Sequence, residues 1–180
     1  MTLKNAAGRY GSPLIVLHWL TLLLMVAVYA CIELREFFPK GSDSREALKT
    51  WHFMLGLAIF GLVWVRLIAR FSGPVPAIVP KPPKWQLYLA HLVDFAIYVF
   101  MVAMPLLGWA ALSGEGKAVP FFGLELPPLI GQNEALAKRL EQIHELGGTV
   151  GYFLIGLHAA AALVHHYVMR DNTLRRILPT

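Results

Sequence analysis

Residues 143–159 read Ile143-His144-Glu145-Leu146-Gly147-Gly148-Thr149-Val150-Gly151-Tyr152-Phe153-Leu154-Ile155-Gly156-Leu157-His158-Ala159, and the reading of this stretch decides the fold. It opens an apolar run over 146–168 that contains no Asp, Glu, Lys or Arg, about the length a helix needs to cross hydrocarbon. His144 and His158 are 14 residues apart. At about 100° and 1.5 Å per residue they stand within roughly 40° of each other on one face and about 21 Å apart in height. An ionisable group at that depth is costly and is a functional candidate by default.

Three more apolar runs lie upstream, over 14–32, 53–67 and 87–112. With 57% of 180 residues hydrophobic and 15% charged, the chain is too apolar for an ordinary soluble domain. In lipid each span must satisfy its own backbone, which makes it a helix. The expected fold is all-α: an integral membrane four-helix bundle forming a single domain over 1–180, with helices near 13–35, 50–70, 86–112 and 140–169. Membrane lipid is then its surroundings, and no nucleic-acid partner is expected.

Alternation across the bilayer puts residues 1–12, the loop near 71–85 and the tail from 169 on one side. That side carries nine Lys and Arg (Lys4, Arg9, Arg66, Arg70, Lys81, Lys84, Arg170, Arg175, Arg176) against seven on the other, which places both termini in the cytoplasm. The proline-rich stretch 74–83 reads as an extended connector. The long loop 113–135, rich in Gly and Pro, reads as irregular, with Phe121 and Phe122 dipping into the interface. Pro105 is expected to kink the third helix.

Depth assigns partners to the histidines. The first helix enters from inside and meets His18 early, whereas the second enters from outside and meets His52 at its start. His18 therefore pairs with His158 at an inner level, and His52 with His144 at an outer one. A lone histidine in a membrane helix is ordinarily a packing residue, but four matched in depth are the ligand set of two haems with two imidazoles each. The single cysteine, Cys31, leaves no Cys-x-x-Cys-His attachment motif, so the haem is type b, held by side-chain ligation alone. Two axial nitrogens leave no open position on iron, so the implied work is electron transfer. Gly151, midway between the helix-four histidines, and Gly56, one turn after His52, leave room for a macrocycle, or serve close helix packing.

Other polar groups at depth keep two readings each. His165 lies seven residues past His158 on the same face, as a proton donor or acceptor at a quinone headgroup or as an interface pair with His166. Arg66 and Arg70 share a face with His52 at the cytoplasmic end, either gripping haem propionates or facing a quinone, or snorkelling to the surface. The snorkelling reading is slightly favoured. His91 and Asp94 share a face of the third helix, as a proton path to the inner site or as a simply paired or protonated carboxyl.

Several pieces together are highly specific: Leu17-His18-Trp19, Glu33-Leu34-Arg35 with Phe37-Phe38-Pro39, Ile143-His144-Glu145, Gly151-Tyr152-Phe153, Gly156-Leu157-His158-Ala159, His165-His166-Tyr167 and Asp171-Asn172-Thr173-Leu174. Along essentially its whole length the chain resembles the bacterial cytochrome b561 family. The resemblance implies a four-helix bundle in the bacterial inner membrane with two b haems, on iron ligands His18, His52, His144 and His158. The family's members include a superoxide oxidase that passes electrons to ubiquinone. The likeness to that enzyme implies superoxide as donor at the periplasmic haem and quinone as acceptor near the cytoplasmic haem, with a histidine in the position of His165 close to it.

The basic residues Arg45, Lys49, Lys117, Lys138 and Arg139 would attract superoxide if they cluster around the outer haem; otherwise they belong to an ordinary solvated surface. The leading expectation is a stand-alone superoxide:quinone oxidoreductase that requires no protein redox partner. The alternative is a cytochrome b subunit passing electrons between a hydrogenase- or formate-dehydrogenase-type partner and quinone. A haem-free transporter is the third class, disfavoured by four short helices without internal duplication.

Overall fold

Four long helices run the length of the molecule in the computed structural model, which describes residues 8–179; Lys4 of the charge comparison lies outside these. They are α1 (Ser12–Leu34), α2 (Asp43–Phe71), α3 (Lys84–Gly114) and α4 (Glu134–Tyr167). All four are long and apolar enough to cross a membrane. Pro13 sits in the first turn of α1, where its missing N–H costs nothing. Helices α2 and α4 begin earlier than the apolar runs suggest, because polar caps sit well outside the hydrocarbon. The Ser42 hydroxyl accepts from the Arg45 N–H at 3.4 Å, and the Asn133 side chain accepts from the Leu136 N–H at 3.0 Å. Each satisfies a helix-terminal donor.

The loop over 113–135 is not wholly irregular. It carries an antiparallel hairpin, β1 (Val119–Phe121) and β2 (Leu124–Leu126), with Val119 opposite Leu126. Phe122 and Gly123 at the turn both have positive φ, 47° and 86°, as a tight hairpin of this hand requires. Val119 is buried against Leu57 and Leu112, and Phe121 packs on the same cluster. Phe122 instead stands out, edge-on to Trp51 at 6.2 Å. Only Phe122 therefore projects outward as expected of the pair. Pro105 lies inside α3 without ending it.

Packing follows a pattern that creates space. Helix α1 packs on α2, α3 on α4, and α2 on α3, whereas the backbones of α1 and α4, and of α2 and α4, stand apart. Between the two ends of the bundle lies an apolar layer of Met25, Ile59, Val63 and Met101, with Tyr29, Phe100 and Ile155 against it. The outward faces are large apolar side chains such as Leu23, Ile68, Phe95 and Phe153, which is the arrangement lipid selects.

Gly151 belongs to this middle layer, and here the structure chooses between the two readings left open by the sequence. A Cβ at 151 would run into the Tyr29 hydroxyl and the Phe100 ring, so the small residue serves close packing and leaves no room for a macrocycle. The Tyr29 hydroxyl donates to the Gly148 carbonyl at 2.8 Å, which locks that approach. Gly56 differs, since a Cβ there meets nothing within 4 Å and the residue lines an open cavity.

The inner end is closed by three segments that the sequence assigns to one side. Asn172 holds the proline-rich connector by accepting from Val79 N–H at 2.8 Å and donating to the Ala77 carbonyl at 3.2 Å. Arg176, buried, donates to the Pro76 carbonyl. The Trp19 indole donates to the Ile177 carbonyl at 2.8 Å, and Arg9 to that of Leu178.

Overpacking at the closest approach yields a direct expectation. Gly151→Val destabilises the bundle by about 1–3 kcal/mol, whereas Gly61→Ala, with nothing within 4 Å of its Cβ, leaves stability unchanged or slightly raised. Thermal unfolding of the detergent-solubilised proteins checks this, and equal midpoints for the two variants would count against it.

Candidate functional site

The four helix histidines meet in two pairs. At the outer end His52 of α2 faces His144 of α4, with ring centroids 6.0 Å apart. The Nδ1 of His52 lies 3.0 Å from the Val28 carbonyl and that of His144 lies 3.0 Å from the Met104 carbonyl. Carbonyls only accept, so each Nδ1 carries the hydrogen and, in the neutral ring, each Nε2 keeps its lone pair for another partner. Gly108 lets the His144 ring lie against α3, since a Cβ there would sit 3.2 Å from Cε1. Both rings line a cavity of about 460 Å³.

At the inner end His18 of α1 faces His158 of α4 with centroids 6.4 Å apart. Two imidazoles on opposite sides of one metal ion, each bonded at about 2 Å, have ring centres roughly 6 Å apart. Both pairs meet that distance, and both bridge helices whose backbones stand apart. The spacing of each pair therefore fits two imidazoles on one haem iron. Arg66 turns toward the rings instead of snorkelling: its guanidinium lies 2.9 Å from His18 Nδ1 and also covers the Tyr98 ring at 5.6 Å. Arg70 turns away and lies over Tyr10 at 5.9 Å, so the structure separates two residues that the sequence placed together. Asp94 approaches His158 Nδ1 at 3.5 Å, rather than pairing with His91.

His165 Nδ1 lies 2.6 Å from Asp171 Oδ2. It does not pair with His166, which instead meets Tyr167 edge-on. Asp171 Oδ1 accepts from the Thr173 N–H at 2.8 Å, so the Asp-Asn-Thr run is a turn that aims a carboxylate back at the helix. Burial pushes the Asp171 carboxyl up, but the hydrogen bonds from His165 and Thr173 outweigh it and hold it below the ordinary aspartate value. Sequence reasoning missed this pairing, although an Asp six residues past a helix-terminal histidine was a usable signal.

The outer cavity mouth is electrically balanced. Arg35, Arg45, Lys49 and Lys117 line it together with Glu33, Glu115, Glu141 and Glu145. Arg45 is committed to the α1–α2 turn, donating to the Arg35 and Phe38 carbonyls at 2.9 and 3.1 Å and pairing with Glu36. Lys49 pairs with Glu46 and Lys117 with Glu115. Lys138 and Arg139 are not among its lining residues. The Tyr152 hydroxyl, at the same mouth, donates to Glu33 at 2.7 Å.

A membrane-spanning helical bundle whose helix-borne imidazoles face each other in pairs defines a class, the b-type membrane cytochromes. Residues 9–180 match the model of the prokaryotic cytochrome b561 family. The chain is 40% identical over 172 residues to cytochrome b561 homolog 1 of Escherichia coli (strain K12), covering 96% of this chain and 98% of that protein. It is 41% identical over 171 residues to a Yersinia pestis protein named probable superoxide oxidase CybB, covering 95% and 96%. Cytochrome b561 homolog 2 of Escherichia coli (strain K12) is 25% identical over 183 residues, covering 99% and 95%. The chain belongs to the prokaryotic cytochrome b561 family. It is a multi-pass protein of the bacterial inner membrane that binds haem b and transfers electrons.

The depressed Asp171 carboxyl ties the inner cap to pH. Its contribution is fully present above the ordinary aspartate value near 4 and is lost as pH falls through the lower folded value. Hydrogen exchange over residues 168–179 accordingly rises on acidification below about pH 4, and Asp171→Asn raises it already at neutral pH and flattens the dependence. Identical exchange in the two proteins across that range would exclude the carboxylate as the latch.

Proposed function

We propose that this chain is a superoxide:quinone oxidoreductase, with two b haems held by His52 and His144 at the periplasmic side and by His18 and His158 at the cytoplasmic side. Both termini are then cytoplasmic. The observation that carries the proposal is the pair of facing imidazoles at each of two depths, at the spacing one iron requires, on helices whose backbones stand apart. When bound, the haems supply one-electron storage and transfer. The donor assignment is supported by the relative named as a probable superoxide oxidase. In balance, two superoxide anions lose one electron each and leave as dioxygen, while one ubiquinone gains two electrons and two protons.

The chain's own residues divide this work. The Val28 and Met104 carbonyls fix the outer rings by Nδ1 and leave each Nε2 as the atom that would hold iron. At the inner end Asp171 holds His165 by Nδ1, leaving Nε2 as the atom that exchanges a proton with a quinone oxygen. Arg66 lies on the inner ring pair, where it positions His18. Arg70, drawn off to Tyr10, is excluded from direct contact with the rings.

Stopped-flow reduction by superoxide, followed by reoxidation with a soluble ubiquinone, tests the assignment. Near-diffusional haem reduction without a partner protein is the expected result, and reduction only in the presence of a redox enzyme would replace it with the electron-transfer-subunit reading. His18→Ala and His158→Ala each lose one haem, His52→Ala and His144→Ala the other; two intact bis-histidine spectra in any of them would break the pairing. His165→Ala slows reoxidation by quinone about 10–100-fold with haem content intact.

Because the mouth carries four cations against four carboxylates, long-range attraction of an anion is weak. The rate with superoxide therefore changes less than about threefold between low and physiological ionic strength. A steep fall with salt would place a basic cluster at the mouth after all.

A further inference from the structure

We propose that Asp94 is the positioning carboxylate of His158, and that it sets the potential of the inner haem apart from that of the outer one. The inference rests on the reading that His158 carries the inner haem. It starts from a difference between the two levels. Both outer rings give their Nδ1 hydrogens to neutral backbone carbonyls. Both inner rings meet charged side chains instead, Asp94 at His158 and Arg66 at His18.

The two charged groups are not equivalent. A guanidinium only donates, so Arg66 offers His18 no acceptor. Asp94 is thus the one carboxylate that touches any of the four rings among the described residues. Its depth makes the contact consequential. Asp94 lies ten residues into α3 from Lys84, about 15 Å along the axis and inside the hydrocarbon. A carboxylate there is strongly disfavoured unless it is paired. Among the described residues the ring that reaches it is His158, with Nδ1 at 3.5 Å. His91, one turn earlier on the same face, does not serve that role.

The consequence is chemical. A carboxylate on the Nδ1 side of a metal-bound imidazole fixes its tautomer and orientation and raises the basicity of Nε2. It also adds negative charge close to the iron. Both effects favour the oxidised, more positive iron and lower its potential relative to a carbonyl-supported ligand. Lowering falls on the level nearest the acceptor side, where a stronger reductant is useful. Among the described residues no carboxylate pairs with His52 or His144.

The test is a potentiometric titration of the purified two-haem protein, with each low-spin haem followed by electron paramagnetic resonance. The inner signal is assigned as the one that His18→Ala protein lacks. Asp94→Asn, which keeps the shape and removes the charge, shifts the inner midpoint upward and leaves the outer one in place; Asp94→Glu restores the wild-type value. An unmoved inner midpoint, or equal shifts at both haems, overturns the inference. If the Asn protein does not retain the inner haem, Asp94→Ser is read in the same way. Selective loss of the inner haem in both, with return in Asp94→Glu, supports the positioning role, and joint loss of both haems overturns it. A wild-type protein with fewer than two haems would defeat the underlying reading, whereas two haems with unmoved potentials defeat this inference alone.

Discussion

A ring nitrogen inside hydrocarbon needs a hydrogen-bonding partner, and the structure is organised around what the four Nδ1 atoms meet. At the outer level the recipients are main-chain carbonyls of Val28 and Met104. These are fixed points on α1 and α3, so each ring is oriented by a helix other than its own. The rings in turn stand between helices that do not touch along their backbones. A side chain that cannot be left unpartnered thereby becomes the device that holds open the spaces of the bundle.

The rest of the packing compensates for those openings. Hydrophobic burial does little between helices that are already in lipid, so close contact and hydrogen bonds carry the association. The middle layer supplies the first, with Gly151 admitting Tyr29 and Phe100 and Tyr29 bonded across to Gly148. The inner cap supplies the second, through Asn172, Arg176 and Trp19, each bonded to main chain far away in sequence. Their partners are backbone groups of a proline-rich connector and of the tail, which have few internal partners of their own.

The two ends differ in how they place charge. The outer mouth is a balanced field in which Lys49 and Lys117 each pair with a neighbouring carboxylate and Arg45 closes a turn. The inner end concentrates charge near the rings themselves, with Arg66 on His18, Asp94 on His158 and Asp171 on His165.

Along a single helix, spacing and hydropathy are local properties, and they sufficed for the four spans, for the two histidine levels of α4 and for which ring would meet which. The side of the bilayer shared by the N-terminus, the connector and the tail followed from alternation alone. What the sequence could not supply were relations set by how one helix is rotated against another. Gly151 read equally as room for a macrocycle or as close packing until Tyr29 and Phe100 were seen to fill the space; Arg66 and Arg70 read as equivalents until one met His18 and the other Tyr10. Asp94 had His91 as its only visible neighbour until α4 brought His158 beside it. A periodicity fixes the face a residue occupies on its own helix, but the partner on that face is chosen by packing, and only the tertiary structure decides it.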